Sequence, residues 1–218
     1  DLFVFNDQDH ATPSNVRLMV AKPSSVEVAQ LIQSLEVKPP KLNAVLKKRK
    51  LLVDILAFCL MPNHFHLLLR QRVENAIPLF MQKLGTGYAM AFNKRYDRVG
   101  SLFQGTFKAM AIEKDVHFLH LPFYIHANPV DLVAPNWRAE GIQDMSKVMD
   151  FLENYRWSSY RDYIKEKNFP SVTQRESLLK LIGNPTSVEL RKQMEEWLNN
   201  FSGLHASTIQ EVQIEKEG

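Results

Sequence analysis

The sequence predicts an α+β fold, an antiparallel sheet with packed helices followed by a helical C-terminal extension. Three features of the 218-residue chain carry that reading. Residues 55–58 (Ile-Leu-Ala-Phe) and the three leucines 67–69 are apolar runs on either side of a Met61-Pro62-Asn63 turn. That is the pattern of two buried strands joined as a hairpin. Residues 74–96 place Ile77, Phe80, Met81, Leu84, Tyr88, Ala91, Phe92 and Tyr96 at intervals of three and four, which describes an amphipathic helix. Beyond Asn128 the strand patterns give way to loops and short helical runs.

Residues 1–40 are the least readable. LFVF at residues 2–5 fits a short strand, residues 25–35 have helical spacing, and Pro13, Pro23, Pro39 and Pro40 interrupt the rest. A basic turn and a strand follow over residues 44–58, and residues 64–71 are the antiparallel partner. Gly85 and Gly87 interrupt the long helix at a cost of about 1 kcal/mol each. They imply a close neighbour, either another helix or a nucleic acid. Residues 100–112 read as a turn and a strand. A second helix begins near Asp115, a suitable N-cap, and ends at about Asn128, because a residue before proline disfavours helical geometry. The resulting order, (strand)-helix-strand-strand-helix-strand-helix, suits a ferredoxin-like (RRM-like) sandwich. Residues 1–135 form one domain on this reading and 136–218 a helical extension. In that extension residues 173–182 and 187–201 are helices, and the polar residues 202–218 fray. The aromatic-rich stretch 147–165 packs onto the domain body more readily than it stacks on unpaired bases.

Composition narrows the function class. No segment approaches the apolar length of a membrane span, and none reads as a signal peptide. The single cysteine, Cys59, falls inside a strand and reads as a core residue in a reducing compartment. The net charge of +3 is small, but its distribution is clustered. Lys47, Lys48, Arg49 and Lys50 form one run, and Lys94, Arg95, Arg98 and Lys108 follow. Such clusters bind phosphate backbones, and they are also ordinary solvated helix ends.

Two motifs carry chemistry. On a strand, residues i and i+2 project from one face, so His64 and His66 point together while Phe65 goes to the other side. Two neighbouring imidazoles make most of a metal site, or else a hydrogen-bonded pair in a sheet. Tyr124 and Asn128 lie four apart and share one helix face. Asn128 has two competing roles, helix terminator before Pro129 and oxygen ligand to a metal.

MPNHFHLLL followed by YIHANP resembles the single-tyrosine His-hydrophobic-His (HUH) transposases of small insertion sequences. It looks closest to those associated with repetitive extragenic palindromes. FMQKLGTGYAMAFNKRY, GSLFQGTFK and NYRWSSYRDYI support the same resemblance. The opening strand of the family, of the type Tyr-His-x-x-x-Arg-Gly, is not found, so the chain is truncated or divergent there. Thr106 stands where arginine is expected. The resemblance implies a ferredoxin-like palm with the histidines on a central strand and the tyrosine on the helix after the last strand. It implies metal-dependent cleavage and strand transfer of single-stranded or hairpin DNA through a 5′-phosphotyrosine link at Tyr124. The ligands would be His64, His66 and Asn128, and a nitrogen-and-oxygen donor set suits Mg²⁺ or Mn²⁺. His120, one turn before Tyr124, is a possible proton relay, whereas His126 faces away and reads as structural. A monomer or a homodimer, working in the cytoplasm with the nucleoid, is implied. Two other classes stand beside this one: a catalytically silent DNA-binding regulator of the same fold, and a hydrolase that uses water as nucleophile.

Overall fold

The computed structural model describes the backbone of residues 2–6, 51–112, 115–164 and 167–214, and their side chains except at 2–6, 115–117 and 202–214. The expected helix at 25–35 and the basic run Lys47, Lys48, Arg49 and Lys50 lie outside the described residues. The elements are β1 (Leu2–Asn6), β2 (Val53–Leu60), β3 (Phe65–Gln71), α1 (Ala76–Tyr96), β4 (Ala109–Ala111) and α2 (Asp115–Ala127). A 3-10 turn over Asn128–Leu132 leads into α3 (Trp137–Glu140), α4 (Met145–Asn154), α5 (Tyr160–Ile164), α6 (Arg175–Leu181) and α7 (Ser187–Ile214).

The fold is α+β, with a four-stranded sheet in the order β2-β3-β1-β4. The hairpin predicted from the two apolar runs is present. It is closed at its turn by the Met61 N–H donating to the His64 carbonyl at 2.8 Å, and at its open end by Arg72 N–H to the Leu52 carbonyl at 2.9 Å. β1 runs parallel to both β3 and β4, with Leu2 opposite Leu67 and Ala109. The sheet is therefore mixed and not antiparallel throughout. Parallel neighbours need a long crossover, and the stretch between β1 and β2 supplies the length. Val53, Leu56, Ala57, Phe58 and Cys59 on β2 and His66, Leu67, Leu68 and Leu69 on β3 are buried. A strand buried on both faces reads as a continuous apolar run, which is why alternation is weak here.

The chain forms two compact units. One takes the residues up to Asp54 together with Leu60–Ile112, and the other takes Ile55–Cys59 together with the chain from residue 113 onward. In the first, α1 buries Ala76, Ile77, Met81 and Phe92, and ends at Asp97, whose left-handed backbone lets its N–H bond the Asn93 carbonyl. Phe92 and Leu102 form a small core with Tyr88, Ala89 and Phe103. A Cβ on Gly85 would meet only the Phe103 ring, at 3.9 Å, and one on Gly87 nothing within 4 Å. Among the described residues neither glycine is required by a tight approach.

In the second unit the middle of β2 is covered along one edge. Ser159 N–H bonds the Phe58 carbonyl at 3.0 Å and Gln174 N–H bonds the Ile55 carbonyl at 2.8 Å. Cys59 bridges Ser158 antiparallel and Ile55 bridges Thr173 parallel. An exposed edge invites pairing with other chains, and these segments satisfy it. Tyr160 and Tyr163 are buried, so the aromatic-rich stretch packs as expected. α7 packs on α2, α3 and α5, with Leu190, Met194, Trp197, Leu198 and Phe201 facing inward. Its start is a capping box: Thr186 Oγ1 accepts from Glu189 N–H at 3.2 Å, and Glu189 Oε2 accepts from Thr186 N–H at 2.7 Å. The helix runs on to Ile214, past the Ser202 position where fraying was expected. Among the described residues no helix is long and apolar enough to cross a membrane.

Candidate active site

The histidine pair lies in the first unit. β3 starts immediately after the turn, so its pleat sends His64 and His66 to one side, with ring centroids 4.8 Å apart and planes at 75°. Phe65 goes to the opposite side and meets the Phe103 ring edge-on at 6.4 Å. His66 is buried and His64 half-buried. Nδ1 of His64 lies 2.7 Å from Oδ1 of Asn63. A carbonyl oxygen only accepts, so with Asn63 so oriented Nδ1 carries the proton and Nε2 presents its lone pair. Metal-ligating histidines are held in this way, with the second ring nitrogen donating to an oxygen that fixes tautomer and orientation. The base of the hairpin is pinned by Asp54, only 2% exposed. Its Oδ2 accepts from Arg70 Nη2 at 2.8 Å and its Oδ1 from Arg72 Nε at 2.6 Å. That clamp fixes the register on which the common direction of His64 and His66 depends.

Tyr124 and Asn128 lie in the second unit, on one face as their spacing requires. Asn128 is buried, and its Nδ2 donates to the Tyr124 carbonyl at 2.7 Å. The same Nδ2 lies 3.4 Å from the Ile125 carbonyl, which Pro129, four residues on, has no N–H to reach. This orientation commits the amide nitrogen to the helix and makes Oδ1 the atom suited to a cation. The terminator role is present, and it is compatible with the ligand role. Burial pushes the Tyr124 phenol above its ordinary value; Arg138 opposes that shift and Asp131 adds to it. Arg138 is ion-paired to Asp131, which also accepts from Trp137 Nε1 at 2.7 Å, and the guanidinium sits 4.7 Å from the Trp137 ring centroid. Sequence reasoning missed both groups, because residues 130–141 carry no periodic pattern that would single out a charge.

His120 is half-buried on α2, one turn before Tyr124. His126 is buried, and its Nε2 lies 2.7 Å from Ser159 Oγ, so the structural reading of this ring holds. Lys94 and Arg95 are exposed in the last turn of α1, where cations also favour the helix dipole. Arg98 lies over the Phe92 ring at 5.4 Å from its centroid, and Lys108 and Thr106 are exposed ahead of β4. Among the described residues no three His, Cys, Asp or Glu side chains converge.

Residues 40–128 match the family described as transposase IS200 like. The match takes in His64, His66, Tyr124 and Asn128 and stops at the last of these. No curated protein and no solved structure matches the chain.

Proposed function

We propose that the chain cuts and rejoins single-stranded DNA, with Tyr124 as the nucleophile, as a transposase closest to the HUH enzymes associated with repetitive extragenic palindromes. The observation that carries this reading is the His64–His66 pair with His64 held by Asn63 in a ligand-ready tautomer. Two imidazole nitrogens and the Asn128 amide oxygen fit a hard or borderline divalent ion, Mg²⁺ or Mn²⁺, better than they fit a thiolate-seeking metal. When bound, such an ion polarises the scissile phosphate and offsets the charge that develops on it.

The chain's own residues do the rest. A phenol with an ordinary pKa near 10, raised further here, is a poor nucleophile until its proton leaves. Tyr124 attacks phosphorus in line, forming a tyrosine–phosphate bond as the bond to the 3′ oxygen breaks. The phenolic proton ends on that oxygen, leaving a free 3′ hydroxyl and a 5′-phosphotyrosine. His120 is placed in sequence to relay that proton. The phosphodiester energy stays in the new link, so rejoining consumes no nucleotide. Arg95, Arg98, Lys94 and Lys108, with Lys47, Lys48, Arg49 and Lys50, track the backbone. In functional terms residues 1–135 are the catalytic part and 136–218 an extension. The protein works on the chromosome as a monomer or homodimer.

The test is an oligonucleotide that folds into a hairpin with a single-stranded flank. It should bind more tightly than a paired duplex of the same sequence, and its cleavage should need Mg²⁺ or Mn²⁺. Equal affinity for the duplex, or undiminished cleavage in excess chelator, would overturn the proposal.

A further inference from the structure

We propose that Ser159 and His126 are positioning residues that lock the tyrosine helix to β2, giving the C-terminal extension a part in the reaction. This rests on the reading of Tyr124 as the nucleophile. All the groups involved belong to the second unit: Phe58 on β2, His126 on α2, and Ser159 ahead of α5.

The need for an anchor follows from α2 itself. Pro122 lies inside the helix and has no N–H to give the turn before it, so the backbone ladder is broken two residues ahead of Tyr124. The helix then ends at Ala127. The piece bearing the tyrosine therefore has one backbone hydrogen bond fewer to the preceding turn, and it passes directly into the 3-10 turn. His126 stands two residues beyond Tyr124, about 200° around the axis at 3.6 residues per turn. A tie at His126 therefore grips the helix on the side away from Tyr124.

The tie uses every hydrogen-bonding position of one hydroxyl. Ser159 is fully buried. Its Oγ accepts the Phe58 N–H at 2.9 Å and donates to the Phe58 carbonyl at 3.2 Å. The remaining acceptor position faces His126 Nε2 at 2.7 Å. A hydroxyl has one proton and two lone pairs, so Nε2 must be the protonated nitrogen and must donate. The rings of Tyr160 and Tyr163 flank the imidazole at 5.5 and 5.6 Å and limit its rotation. Tyr163 O–H adds a second bond to the same strand, at the Leu56 carbonyl. Ser159 and Tyr163 both lie beyond the segment that matches the transposase family, so this tie comes from the extension.

The experiment uses the full chain, a single-stranded hairpin oligonucleotide, and three variants, Ser159→Ala, His126→Leu and His126→Gln. Adduct formation at Tyr124, oligonucleotide affinity and amide exchange are followed for each. Ser159→Ala and His126→Leu should slow adduct formation about tenfold or more, since misplacing a reacting group by an ångström costs up to about 100-fold. Affinity should stay within about twofold, the signature of a lost positioning interaction and not of lost binding. Exchange in residues 118–127 should rise about tenfold while α4 keeps its protection. His126→Gln retains an N–H donor toward Ser159 and should recover most of the rate. Unchanged rate and exchange in Ser159→Ala, or protection lost equally from α4, would overturn the positioning role. If the wild type forms no adduct, the nucleophile reading fails and the positioning role with it, while the exchange data still report the anchor by themselves.

Discussion

Acidification should destabilise the second unit through one residue, His126. Burial of its ring pushes the pKa down to about 3 from the ordinary 6.5. The neutral ring is also the form that the hydrogen bond with Ser159 requires. In the unfolded chain this histidine takes up a proton as the pH falls through 6.5, whereas in the folded protein it stays neutral until the pH nears 3. The unfolded state then binds more protons, so stability falls with falling pH across that window and is fully present only above it. Integrating from pH 7 to pH 5 with these two values gives a loss of about 2 kcal/mol from this residue alone. The three tryptophans, Trp137, Trp157 and Trp197, all lie in the second unit, so their fluorescence reports its unfolding directly. Urea titrations at pH 7, 6 and 5 should show the wild-type midpoint falling by about 1 M more than that of His126→Gln, for an m-value of about 2 kcal/mol/M. Parallel losses in the two proteins would refute the reasoning, as would a folded-state titration of the ring near 6.5.

Two other outcomes follow from the site. Asp54→Ala leaves Arg70 and Arg72 facing each other without their carboxylate and should cost about 3 kcal/mol, read as faster amide exchange across β3. Loss of less than about 1 kcal/mol would mean that the clamp behaves as a surface pair. Asn128→Ala should raise the Mg²⁺ or Mn²⁺ concentration needed for cleavage while leaving oligonucleotide binding intact. Superimposable metal titrations would make Asn128 a helix terminator only.

The hairpin, α1 and α2 were legible because each writes its own buried face into the sequence. The Pro62-Asn63 turn and the i, i+2 histidines gave β3 and the His64–His66 pair, and Asp115 and Pro129 bracketed α2 within a residue. What the sequence concealed depends on partners distant along the chain. Parallel pairing of β1 cannot be told from antiparallel pairing by a four-residue apolar run. The cover over the edge of β2 is made of backbone bonds from residues 159 and 174, which need no particular side-chain pattern. Ser159 in Trp-Ser-Ser-Tyr looked like part of an aromatic stretch; its role appears only when Phe58 and His126 come to the same point. Asn128 was read as either terminator or ligand because a sequence does not show which end of an amide faces the helix.

The measurement closest to the central claim is a covalent-adduct assay. Wild-type protein, a 5′- and 3′-labelled single-stranded hairpin oligonucleotide and Mn²⁺ or Mg²⁺ are combined, denatured and resolved on a gel. The account predicts a protein band that carries the label 3′ to the cut. It also predicts a released strand ending in a 3′ hydroxyl, and loss of both products in Tyr124→Phe while DNA binding persists. Cleavage by Tyr124→Phe at the wild-type rate, with no label on the protein, would show water as the nucleophile and contradict it.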